Sequence, residues 1–139
     1  CRLRQLILAE ELLDKDYTPE TVVEIIEATN SDDKEITKRQ IYYVKQLAKD
    51  GIEPDETLQV LAYLEPDNKD MYWNKVDALA CFHESGDSCY MLPVLKEMSS
   101  GDETIETQMV QFARKINFRC DKWCLSEMLK AVKSGNDEN

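Results

Sequence analysis

Histidine is almost missing from this chain: His83 is the only one among 139 residues. That excludes metal sites built on two imidazoles and leaves a Cys or Ser nucleophile short of its usual base. Glycine is scarce too, with four scattered copies, so no glycine-rich loop is available to cradle a phosphate. No stretch approaches about eighteen uninterrupted apolar residues, and no basic segment leading into an apolar one opens the chain. Neither a membrane span nor a signal peptide is expected.

Positive charge is also in short supply, with 17 Lys and Arg against 28 Asp and Glu and a net charge of −11. Such a field repels polyphosphate and anionic membranes unless a basic face is locally segregated. The carboxylates are spread as helix-starting or solvent-facing residues, as in Glu10-Glu11, Asp32-Asp33 and Asp55-Glu56, where they complement helix dipoles. With no paired acid and base to single out, no catalytic residues and no cofactor are expected. The five cysteines, an odd number at uneven spacing in a chain large enough to fold without staples, point to reduced thiols in an intracellular, cytoplasmic setting. A start at Cys1 without an initiator Met suggests a processed chain or a fragment of a longer one.

What is abundant is helix-forming sequence, 42% hydrophobic and 32% charged. Apolar residues recur at helical spacing, as in Leu3, Leu6, Leu8, Leu12 and Leu13, then Val22, Val23, Ile25 and Ile26, then Ile36, Ile41, Val44, Leu47 and Ala48. Between these runs lies helix punctuation: Thr18 before Pro19, Ser31 to Asp33, Glu53 before Pro54, Asp67 to Asp70, Ser85 to Ser88 and Ser99 to Glu103. Ser100 and Glu103 have capping-box spacing. Helices are predicted at about 2–14, 18–29, 33–49, 54–64, 68–83, 88–98, 102–116 and 120–133. Pro93 requires the sixth to kink or begin late, and the polar tail 134–139 is expected to fray.

A shift of about 35 residues aligns Arg4-Gln5-Leu6 with Arg39-Gln40-Ile41, Leu12 with Leu47, Asp16 with Gly51, Tyr17 with Ile52, and Pro19 with Pro54. A second shift carries Gly51 to Gly86 and Leu47 to Phe82, and a fourth copy around Met109, Phe112, Ile116 and Met128 needs slippage. The expected fold is all-α: one domain over residues 1–133, its eight helices forming four antiparallel hairpins. These stack as a short right-handed α-solenoid or a compact helical superhelix. The repeat length resembles the tetratricopeptide and pentatricopeptide classes, and Gly51 to Asp55 is similar to the inter-repeat turn of the latter. Here that turn joins the long helix to the short one, so no ligand-contact residue of either class carries over.

The expected function is a non-catalytic protein-interaction module or scaffold segment. Lys34, Lys38, Lys45 and Lys49 fall in one narrow stripe of the third helix beside Tyr42, a face suited to another protein or an acidic peptide. RNA or single-stranded nucleic acid is the alternative ligand for this stripe, opposed by the net charge. Tyr72 and Trp73 are further interface candidates, while Trp123 is expected in the core. Cys120 and Cys124 lie one helical turn apart and, with Cys81 and Cys89, could supply a tetrahedral zinc site, though buried cysteines more often pack as small hydrophobes.

Overall fold

The computed structural model describes residues 1–80, 82, 88–99, 101–116 and 122–134. Among them are eight α-helices: α1 (Arg2–Asp14), α2 (Pro19–Thr29), α3 (Lys34–Lys49), α4 (Pro54–Tyr63), α5 (Lys69–Ala78), α6 (Met91–Met98), α7 (Glu103–Ile116) and α8 (Lys122–Ser134). No strand occurs among the described residues. The chain divides into two units, residues 1–62 and 63–139. In the first, α1 packs on α2 and α3, and α2 on α3. In the second, α5 packs on α7, α6 on α7 and α8, and α7 on α8.

Helices α2, α3, α5 and α7 start where a short polar side chain can take up their first free N–H groups. Thr18 Oγ1 accepts from Thr21 N, and Pro19 fills the first position of α2, where a missing N–H costs nothing. Asp33 Oδ1 accepts from Glu35 N at 2.8 Å to open α3, and Asn68 Oδ1 accepts from Met71 N to open α5. The start of α7 is corrected: Asp102 Oδ1 accepts from Thr104 N at 2.9 Å and Ile105 N at 3.2 Å. Ser100, the expected cap, lies outside the described residues.

Two other boundaries show how local chemistry trims the pattern. Helix α6 begins at Met91 after a single 3₁₀ turn at Ser88–Tyr90, which places Pro93 in the first helical turn, where no intrahelical donor is lost. Helix α5 stops at Ala78, five residues before its expected end, because the hydrogen bonding tightens. Ala80 N donates to Asp77 O and Phe82 N to Leu79 O, so Leu79 and Phe82 stay buried without a regular helix around them.

The ends of α1 and α3 are closed by the same turn. Tyr17 N donates to Leu12 O at 3.2 Å, and Ile52 N to Leu47 O at 3.0 Å, the long bond that seals a left-handed helix stop. The left-handed residue is Asp16 in one (φ +69°) and Gly51 in the other (φ +76°). These are the positions that the 35-residue shift superposes. An aspartate in this conformation carries steric cost that glycine does not. Asp16→Gly should therefore raise stability by about 0.5–1 kcal/mol, and Gly51→Ala, with open space around the added methyl, should lower it by about 1 kcal/mol. Urea or thermal unfolding of the two variants measures both; equal signs would refute the equivalence of the turns.

Candidate functional site

Helix α3 puts its apolar side inward and its cations outward. Ile36, Ile41, Val44 and Leu47 are buried, whereas Lys34, Lys45 and Lys49 are exposed and Tyr42 is 40% exposed. Lys38 is partly covered and pairs with Glu35 at 3.3 Å one turn away. The guanidinium of Arg39 lies 5.1 Å from the Tyr42 ring centroid and 5.9 Å from that of Tyr43, and the two rings meet edge to face at 5.6 Å. Arg39 thereby holds Tyr42 against the helix with its ring partly open. Across its length α3 has five basic side chains and one acidic one, a local inversion of the overall charge. Such a face can pair with carboxylates along an extended or helical ligand while Tyr42 supplies apolar contact.

The other predicted site residues are placed differently. Tyr72 is 0% exposed, which removes it from any partner surface; its ring packs edge to face on Trp73 at 5.3 Å. It sits beside Met71 on the buried stripe of α5, one position from the half-buried Trp73. Cys89 is exposed, and Cys124 Sγ lies 3.9 Å from Met128 Sδ. Cys81, Cys120, His83 and the side chain of Trp123 lie outside the described residues. No group of three or more His, Cys, Asp or Glu among the described residues is placed to hold a metal ion.

Sequence reasoning missed a charge cluster in the second unit. Lys75 is fully buried on α5, and its ammonium has three partners: Tyr63 O at 2.6 Å, Glu65 Oε2 at 2.5 Å and Glu106 Oε1 at 3.4 Å. Three partners match its three donors. The signal was present in the helical period, since Lys75 falls on the stripe of Met71, Tyr72 and Ala78, where a lysine is out of place unless paired. Glu65 adopts φ +56°, a conformation costly for a residue with a Cβ. A hydrogen bond from Glu106, then Lys75, draws the Glu65 carboxyl below its ordinary range. Burial, then the bond to Glu65, raises that of Glu106. Of the two carboxyls, Glu106 is therefore the more readily protonated. With Lys75 sealed, the cluster ties α5 and α7 to the Glu65 segment.

In the first unit, a cleft of about 460 Å³ opens between the two equivalent turns, lined by residues of the Lys15–Thr21 and Ala48–Pro54 segments. Burial and then the Glu53 carboxylate raise the Tyr17 phenol above its ordinary range. Compared with family models, curated proteins and solved structures, the chain finds no match in any of the three.

Lys75→Met leaves two carboxyls facing each other without their cation and should destabilise the fold by about 3–5 kcal/mol. Glu106→Gln should act with a definite pH sign. Because the folded state raises the Glu106 pKa, its favourable contribution is complete below the unfolded value and fades as pH rises through the folded one. The neutral glutamine escapes that loss, so its stability relative to the parent should climb as pH rises above the ordinary carboxylate value. Glu65 has the opposite sense, losing stabilisation as pH falls. Denaturation midpoints across pH for the Gln variant check the sign.

Proposed function

We propose that the chain is a non-catalytic protein-binding module, a scaffold segment of stacked helical hairpins that receives an acidic peptide on the outer face of α3. The observation that carries this reading is the exposed set Lys34, Tyr42, Lys45 and Lys49 on one helix of a protein with net charge −11. Surface cations paired with a half-open aromatic ring suit carboxylate-bearing partners. A polyanion as dense as nucleic acid meets the repulsion of the whole acidic molecule.

The hairpin reading draws support from equivalences at the level of single hydrogen bonds. The caps Asp33 and Asn68 are 35 residues apart, as are Asp16 and Gly51. Gln40 Nε2 donates to Ala28 O at 3.1 Å across 12 residues, and Lys75 Nζ donates to Tyr63 O, also across 12. The contacts of α1 with α3 and of α5 with α7 are those that first helices of neighbouring hairpins make in a stack.

Fluorescence anisotropy with a labelled glutamate-rich peptide tests the site. Binding should weaken steadily with added salt, as expected for exposed charges. Lys45→Glu/Lys49→Glu should reduce affinity about tenfold, an effect of about 1.4 kcal/mol. No binding at low salt, or tighter binding of an oligouridylate probe than of the peptide, would contradict the proposal.

A further inference from the structure

The outer sides of α2 and α3 carry opposite charges in matching order. On α2, Glu20, Glu24 and Glu27 are exposed around Val23, itself 54% exposed, while Val22, Ile25 and Thr29 turn inward. On α3, Lys38 and Lys45 flank Tyr42, and Lys34 and Lys49 extend the row. Counted backward from Lys45, α3 reads cation, aromatic, cation at intervals of three and then four residues. Counted forward from Glu20, α2 reads carboxylate, aliphatic, carboxylate at the same intervals.

Both rows rise by about 1.5 Å per residue, so they coincide when the two helices lie antiparallel. Lys45 then meets Glu20, Tyr42 meets Val23, and Lys38 meets Glu27. Asp16 and Asp32, exposed beyond the two ends of α2, lie toward Lys49 and Lys34. Within one copy the rows stay apart, because α2 and α3 pack through their buried sides. The same interval recurs at Asp70, Trp73 and Asp77 of α5, but there Asp77 is paired with Arg114 at 3.2 Å and Trp73 is half-buried.

We propose that the occupant of the α3 face is helix α2 of a second copy of this chain, lying antiparallel along it. This rests on the reading of α3 as a face for an acidic peptide, and it names that peptide. Both helices belong to the first unit, so the docking needs nothing from the second. Two copies of net charge −11 repel at a distance, yet at about 0.15 M salt that repulsion is screened beyond about 8 Å, and the facing pairs sit closer than this. Lys38 exchanges Glu35 for Glu27 at little cost, since an exposed pair one turn apart contributes little. Helix α2 is about 16 Å long, which places the contact among small, transient interfaces.

Sedimentation velocity of the full chain at about 0.15 M salt, over about 5–500 μM, tests this. The expected result is a weight-average coefficient that rises with concentration. Lys38→Glu/Lys45→Glu and Glu20→Lys/Glu27→Lys should each weaken association about tenfold, and the chain carrying all four reversals should regain it. Regain also guards against misfolding, because two further reversals do not refold a damaged variant. A parent monomeric throughout, a four-fold variant no better than either pair, or undiminished association of Glu20→Lys/Glu27→Lys would overturn the proposal. Anisotropy with the labelled glutamate-rich peptide, at protein concentrations below self-association, separates the two claims. Glu20→Lys/Glu27→Lys should bind that peptide as the parent does. Peptide binding by a chain that never self-associates overturns the α2 docking and leaves the α3 face standing; absence of peptide binding overturns the α3 reading itself.

Discussion

The carbonyls at the ends of α2 and α4 need a donor, and the helix that follows each supplies one from its buried side. An α-helix leaves its last carbonyls without intrahelical partners, and burying them unpaired costs about 1–3 kcal/mol each. Gln40 of α3 reaches back to Ala28 O near the end of α2, and Lys75 of α5 to Tyr63 O at the end of α4. Gln5 holds the same end of α2 from the other side, donating to Thr29 Oγ1 and Asn30 Oδ1. These three side chains are evenly spaced in the sequence, 35 residues apart. Exchanging an amide for an ammonium at the third position then demands countercharge, which Glu65 and Glu106 provide.

Much of this architecture was legible in the sequence for identifiable reasons. Thr18-Pro19, Asp33 and Asn68 announce helix starts because their side chains or rings solve the problem of free N–H groups locally. The end of α5 was not legible: Leu79 and Phe82 continue the apolar period through turns that are no longer α-helical, and period alone cannot tell the two apart. Nor was the cap of α7, where Asp102 and Ser100 both offer an oxygen at suitable spacing. Tyr72 and Trp73 differ by about 100° around α5, enough to send one inside and leave the other half-open. Composition ranks both as interface residues and does not see that rotation.

The lysine stripe of α3 is a pattern of exposure, readable from helical phase alone, whereas Lys75 on α5 takes its partners from α7, the end of α4 and the turn after it. A cluster assembled from three segments has no signature in any one of them. The uncovered leucines of α1 illustrate a related point. Its apolar residues fall on two sides, so sequence shows an apolar helix, and only packing shows which side has a neighbour. No helix among the described residues is long and apolar enough to cross a membrane, so that second side is not a spanning segment.

The central physical claim is that Lys75 is a sealed donor joining the end of α4 to α5, the charged counterpart of Gln40. Heteronuclear NMR of the lysine ammonium groups near neutral pH addresses it directly. A buried, fully bonded ammonium exchanges its protons slowly enough to be observed, and Lys75 should give a resolved cross-peak with contacts to Tyr63 and Glu106. The exposed Lys45 should give none. A Lys75 ammonium that exchanges as fast as that of Lys45 would contradict the account.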